Sequence, residues 1–175
     1  MTNLKKFIKI IYMSYFAYSN NLLKSEGIEI SKIAKGRSTP FYCYSKNAIA
    51  KNYNNFSNSF KNIDVKICFS LKSNSNLSIL KILSDLGAGA DVVSEGELKK
   101  ALKANIEASN IVFSGVGKTE GEISFAIKNH CLQINVESLS ELDRVNTIAG
   151  KIGNTQKVAL RINPDVDPNT HGKIT

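Results

Sequence analysis

The sequence predicts an α/β fold, part of a (β/α)8 TIM-type barrel with parallel strands alternating with helices, cut short after about the fifth strand–helix unit. Three observations predict it. Short runs rich in branched and aromatic residues recur at a spacing of about 22 residues. Each leads within a few residues into a helix-start signal. Strands that alternate with helices of this length require right-handed crossovers in a parallel sheet, and near-equal spacing favours closure into a barrel over an open doubly wound sheet.

Taken in order, TPFYCYS at 39–45 reads as a strand, and 46–60 as a polar helix with weak periodicity at Ile49, Tyr53, Phe56 and Phe60. VKICFSL at 65–71 is the next strand. It precedes NLSILKILSDL at 76–86, where Leu77, Leu80, Leu83 and Leu86 recur at helical spacing. Gly87 and Gly89 end that helix and allow the following turn. ADVV at 90–93 is followed by Ser94 and, three residues on, Glu97, the spacing of a capping box, with Leu98, Ala101 and Leu102 on the helix beyond. IVFSG at 111–115 leads to the same box at Thr119 and Glu122, and then to Ile123, Ala126 and Ile127. CLQINV at 131–136 leads to Ser138 and Glu141 and to Leu142, Val145 and Ala149. KVALRI at 157–162 is a last strand, ended by Asn163-Pro164 because proline removes a donor and pushes its predecessor out of the helical region. Upstream, 16–36 reads as an edge strand and a connection of another module. The domain expectation is therefore an extension and edge segment of a second, β module over 1–38, and the N-terminal part of the barrel over 39–175. A complete barrel takes roughly 200 residues at least and typically about 250.

Composition limits the function classes. With 42% hydrophobic and 22% charged residues the chain is an ordinary globular one. The net charge of +8 invites nucleic acid, yet the arginines are Arg37, Arg144 and Arg161 alone, and the lysines are scattered among Asn and Ile. Bidentate recognition of phosphates and bases favours arginine, so the surplus reads as a solvated surface and no nucleic-acid partner is expected. Cys43, Cys68 and Cys131 are odd in number and far apart, so neither a disulfide framework nor a metal site is indicated, and a cytoplasmic, reducing setting follows. FIKIIYMSYFAY at 7–18 is interrupted by Lys9 and shorter than the ~20 residues that span a bilayer. No membrane partner is expected, with an interfacial helix as the lesser reading and Met13 as an alternative start.

In a βα barrel the functional side chains sit where strands end and loops begin. Lys72, Asp91, Ser94, Gly115, Gly117, Glu137, Arg161 and Asn163 lie at or near such ends. Lys72 follows directly on a buried strand; a desolvated amine there would have a lowered pKa and become nucleophilic. A lysine snorkelling from a strand end is the equal alternative. Asp91 opens one strand and Arg161 sits inside another, among apolar neighbours where charges must be paired. A mutual or ligand-mediated pair and a purely structural salt bridge both fit. VFSGVGKT at 112–119 lacks the G-x-x-x-x-G-K-[ST] spacing of a phosphate loop. His130 and His171 have no carboxylate or cysteine at metal spacing.

The assembled strings resemble the N-terminal half of the diaminopimelate decarboxylases, an alanine-racemase-like (fold type III) family of enzymes dependent on pyridoxal 5'-phosphate (PLP). FSLKSNSN at 69–76 is similar to the family's Y-A-x-K-A-N-x-N, whose lysine holds PLP as a Schiff base, with Phe69 for the usual Tyr and Ser73 for the usual Ala. GAGADVVSEGEL at 87–98 resembles G-x-G-x-D-V-V-S-x-G-E-L, whose aspartate lies beside the cofactor, with Glu95 where Gly is commoner. INVESLSELDRV at 134–145, VALRINPDVDPNTHGKIT at 158–175, TPFYCYS at 39–45 and YSNNLLKSEGIEI at 18–30 resemble further stretches. The resemblance implies Lys72 as the catalytic residue, and Lys72, Asp91 and Arg161 as cofactor-binding residues. It also implies decarboxylation of meso-diaminopimelate to L-lysine in lysine biosynthesis, an amino-acid substrate and a homodimer. The family's glycine-rich phosphate loop, its glutamate on the pyridine nitrogen, its substrate-binding arginine and its catalytic cysteine lie further along than residue 175. The expectation is thus a chain inactive alone and in need of a complementing C-terminal chain. Another amino-acid decarboxylase of the same scaffold, acting on ornithine, arginine or a carboxylated polyamine, is the near alternative. A non-catalytic PLP-binding or assembly fragment is the alternative of another class.

Overall fold

The computed structural model describes residues 15–164 and Val166. The chain divides into two compact units between Val65 and Lys66. In the first, β1 (Phe16–Ser19), β2 (Leu22–Ser25) and β3 (Ile28–Glu29) form an antiparallel meander of order β1-β2-β3, followed by the short helix α1 (Ile30–Ala34). Here the expectation of one edge strand with a connection is corrected. Asn20, Asn21, Glu26 and Gly27 take left-handed backbone conformations, which turn the chain twice within ten residues. α2 (Lys46–Asn58) completes this unit, capped by Ser45, whose hydroxyl accepts from the Ala48 amide.

The strand expected at 39–45 does not form; those residues join neither sheet. Tyr42 and Tyr44 alternate with Phe41 and Cys43 as a strand should, and they stack on one another, but both are exposed. The division of the chain therefore groups α2 with the meander, whereas the sequence reading set the boundary at 38/39.

The second unit holds the barrel expectation. β4 (Cys68–Ser70), β5 (Gly89–Val92), β6 (Ile111–Phe113), β7 (Gln133–Val136) and β8 (Val158–Leu160) form one parallel sheet in sequence order. Each of the first four is followed by a helix: α3 (Leu77–Asp85), α4 (Glu95–Lys103), α5 (Glu120–Lys128) and α6 (Leu139–Ile152). This is part of a (β/α)8 barrel.

The two faces of the sheet differ in chemistry. Ala90, Val92, Ile111, Phe113, Ile134 and Val136 are at most 1% exposed and share one core with Leu80, Leu98, Ile123 and Ile127 of the covering helices. Burial of side chains this size stabilises by about 1.5–3 kcal/mol each. The opposite face carries Ser70, Asp91, Gln133 and Asn135, and the ladder puts Ser70, Asp91, Val112 and Gln133 in one row.

Helix starts follow the capping grammar with one refinement. At Thr119 the full reciprocal box forms, Glu122 accepting from the Thr119 amide at 2.9 Å. At Ser94 and Ser138 the hydroxyl caps as expected, but Glu97 and Glu141 accept from the preceding amides, those of Val93 and Glu137. Both serines have φ −158°, against −74° at Thr119, and that rotation swings the cap's own amide away from the carboxylate. On α3 the buried residues are Ile79, Leu80 and Leu83; Leu77, expected on the apolar face, is exposed.

Candidate active site

The C-terminal ends of these strands border an open-sided cavity of ≈ 450 Å³. Lys72, Asp91 and Arg161, the three site residues read from the sequence, all line it. So do Gly115 and Glu137. Ser94 and Gly117 do not; Ser94 is occupied as the α4 cap, and Gly117 serves a turn at φ +67°.

Asp91 is held by two hydroxyls from neighbouring strands. Ser70 Oγ donates to Oδ2 at 3.1 Å and Ser114 Oγ donates to Oδ1. Asn135 Nδ2 donates to Ser114 Oγ at 2.9 Å, and Gln133 Nε2 to Asn135 Oδ1 at 2.7 Å. One chain of polar side chains thus crosses the sheet from β4 to β7 and fixes the rotamer of the carboxylate.

Arg161 lies just beyond β8, its amide donating to the Val136 carbonyl at 2.9 Å, so the expectation that it sits inside the strand is corrected. Nor does it pair with Asp91. Its guanidinium contacts Glu137 Oε2 at 3.2 Å, and its Nε donates to Asn163 Oδ1 at 3.3 Å. Asp91 takes neutral donors instead, the hydroxyls of Ser70 beside it in the row and of Ser114 just past β6.

Lys72 occupies a turn after β4, with Ser73 N–H donating to the Ser70 carbonyl at 3.2 Å. Leu71 beside it is 1% exposed, but Lys72 itself is exposed, so the expected desolvation of its amine is not found. Among the described residues its ammonium has no hydrogen-bond or ion-pair partner. An unengaged amine faces an anchored carboxylate and a cation around one cavity, which is a donor set that suits a phosphorylated aldehyde.

Sequence reasoning missed Ser70, Ser114, Gln133 and Asn135. The signal was there: a parallel strand buried on both faces reads as a continuous apolar run, whereas Gln133 and Asn135 interrupt CLQINV at every second position. It also missed a buried ion pair behind the site. Lys118 Nζ lies 3.2 Å from Glu141 Oε1, with side chains 1% and 8% exposed. No local pattern announces it, since the partners are 23 residues apart. His130 is exposed beside Asn154, and His171 lies outside the described residues, as do Met13 and most of the apolar run at 7–18. No group of ligating side chains suited to a metal and no helix able to cross a membrane occurs among the described residues.

Fold and site together define a class: a βα-barrel segment with a polar, charged cavity at its strand ends. Residues 46–175 match the family described as pyridoxal-dependent decarboxylase, pyridoxal binding domain. The chain belongs to that family, whose cofactor is PLP. It is 45% identical over 163 residues to the diaminopimelate decarboxylase of Aquifex aeolicus, covering 93% of this chain and 38% of the relative. The crystal structure of diaminopimelate decarboxylase from Helicobacter pylori complexed with L-lysine matches with a TM-score of 0.79 and 44% identity, over 83% of this chain and 37% of that one. The arginine decarboxylase of Paramecium bursaria Chlorella virus matches with a TM-score of 0.69 and 26% identity, over 80% and 37%. The chain therefore spans under two-fifths of the length of these relatives.

Proposed function

We propose that this chain supplies the lysine-bearing part of a PLP-dependent decarboxylase acting on meso-diaminopimelate to give L-lysine. The observation that carries the reading is the convergence of Lys72, Asp91 and Arg161 on one cavity at the strand ends. Lys72 is the residue that bonds the cofactor's aldehyde, through an amine already free of competing partners. Asp91, fixed by Ser70 and Ser114, presents a negative charge on the wall of the same cavity. Arg161, steadied by Glu137, faces the cavity as a fixed cation toward the cofactor or the substrate carboxylate. When bound, PLP supplies the electron sink that lets carbon dioxide leave. The reading includes a cytoplasmic setting, which suits three free cysteines, a homodimer, and a C-terminal half that brings the remaining catalytic groups. The match to an arginine decarboxylase supports arginine as a second substrate on the same scaffold.

The test is borohydride reduction of the chain mixed with PLP, followed by peptide mass mapping. Adduct concentrated on Lys72, lost in Lys72→Ala while surface lysines label as before, supports the role. Labelling spread evenly over the lysines sinks it. Protection of Lys72 by meso-diaminopimelate but not by arginine or ornithine assigns the substrate; the reverse pattern favours the second reading. Labelling of Lys72 unaffected by any amine leaves a cofactor-binding module without catalysis.

A further inference from the structure

The Lys118–Glu141 pair is the most deeply buried charge in the described chain, Lys118 being 2% and Glu141 6% exposed. Neither residue lines the cavity. Taking two charges out of water costs several kcal/mol per ion unless every donor and acceptor is satisfied. Here they are. Lys118 Nζ donates to the carbonyls of Gly115 and Asn135, the latter at 2.7 Å, and to both carboxylate oxygens of Glu141 at 3.2 and 3.3 Å. Glu141 Oε2 also accepts from the Glu137 amide at 2.8 Å. Arg144 closes the far side, its guanidinium donating to the Lys118 carbonyl at 3.2 Å.

Every backbone group that the pair holds belongs to a residue that lines the cavity. Gly115 follows Ser114, whose hydroxyl binds Asp91. Asn135 holds Ser114 through its side chain while its carbonyl is held by Lys118. Glu137, gripped at its amide, is the residue that pairs with Arg161. The ends of β6 and β7 are tied at one ammonium, and from it run both the cradle of Asp91 and the anchor of Arg161. Gly115 makes the tie possible: its φ is +95°, and a Cβ there would lie 3.1 Å from Val93 Cβ and 3.2 Å from the Val93 carbonyl oxygen.

We infer that Lys118, with Glu141, is a positioning pair for the cofactor site, setting the geometry in which Lys72 meets the aldehyde by fixing the carriers of Asp91 and Arg161. The inference rests on the proposed role of Lys72. Removing one partner strands a buried charge and can unfold the chain, so the informative variant is Lys118→Met/Glu141→Leu, which removes both charges at similar volume. The experiment is PLP and borohydride labelling of the full chain, with Lys81 and Lys103 as internal references, alongside circular dichroism to establish folding. A positioning role predicts a folded double variant in which labelling of Lys72 falls about tenfold relative to the reference lysines. It further predicts that the loss shrinks in an Asp91→Asn background, because the pair acts through that carboxylate. A merely structural pair would lower stability and leave the Lys72 ratio at the parent value, and that result overturns the inference. If the parent chain itself shows no preference for Lys72, the functional reading fails and takes the inference with it. If the double variant does not fold, Lys118→Arg, which keeps both charges while shifting the hydrogen-bond geometry, carries the same comparison.

Discussion

Gly89 is the residue at which backbone geometry leaves least room. A Cβ there would lie 2.3 Å from the Asn110 carbonyl oxygen and 2.9 Å from Cys68 Sγ, closer than real carbons approach. The carbonyl is backbone and cannot swing aside, so Gly89→Ala should lower stability by about 1–3 kcal/mol, read as a shift of the urea midpoint. Gly96, inside α4, has no neighbour nearer than Ser94 Oγ at 3.9 Å. Gly96→Ala should therefore stabilise by about 0.5–1 kcal/mol through helix propensity, and the opposite signs of the two variants separate packing from entropy. Cys131 offers a pH-dependent counterpart. Burial pushes its thiol up to about 11 from an ordinary 9.0. A folded-state value above the unfolded one gives stability that is complete below pH 9 and is lost as pH rises toward 11. Over that window about 2–3 kcal/mol should disappear. The loss should be absent from the curve of Cys131→Ala and therefore appear in the parent-minus-variant difference, measured as denaturation free energy against pH.

The helix starts show how far local sequence reaches. Three of the four capping serines and threonines, Ser94, Thr119 and Ser138, were legible from spacing, because a hydroxyl and a backbone amide three residues on meet within one turn, whereas Ser45 was read as the end of a strand. Where each carboxylate goes was not legible, because that depends on the cap's φ, which the preceding strand fixes. The strand missed at 39–45 has a related cause: alternation records what a segment could pair with, and pairing depends on a neighbour that sequence cannot position. At Thr119 the full box has a consequence of its own. The Thr119 amide, with the Glu95 amide and the Thr119 hydroxyl adding to it, holds the Glu122 carboxyl below its ordinary range. A depressed value contributes stability above the unfolded pKa, which is lost as pH falls through the folded one. Thr119→Ala should cost about 1 kcal/mol at neutral pH. The cost should narrow as pH falls through the depressed folded-state value, below which Glu122 is protonated in either protein; thermal melts of the pair at neutral and at progressively acid pH test it.

At the scale of the molecule, the order of five strands and the placement of Lys72, Asp91 and Arg161 around one cavity were readable, while the side chains that anchor Asp91 required the sheet to be assembled. Register brings Ser70, Asp91, Val112 and Gln133 abreast from four separate strands, and no window of sequence contains that row. The same sheet has two outer strands, β4 and β8, each with a single neighbour among the described residues. A barrel of eight strands has no edges, and five in a row have two. On β8, Val158 and Leu160 lie opposite Ile134 and Val136, which are buried under helices, yet they are themselves 37% and 56% exposed. Unpaired amides beside an uncovered apolar pair are a template for strand addition. A separate 175-residue chain should therefore associate as its concentration rises. Leu160→Lys should suppress that association, since a charge on the uncovered apolar face of the edge strand must be desolvated when a second copy packs there, while the far-UV spectrum stays at the parent's. Sedimentation velocity over a concentration series gives the answer. A parent that remains monomeric throughout would mean that residues beyond the sheet already shield β8, and equal association of parent and variant would move the contact to another surface.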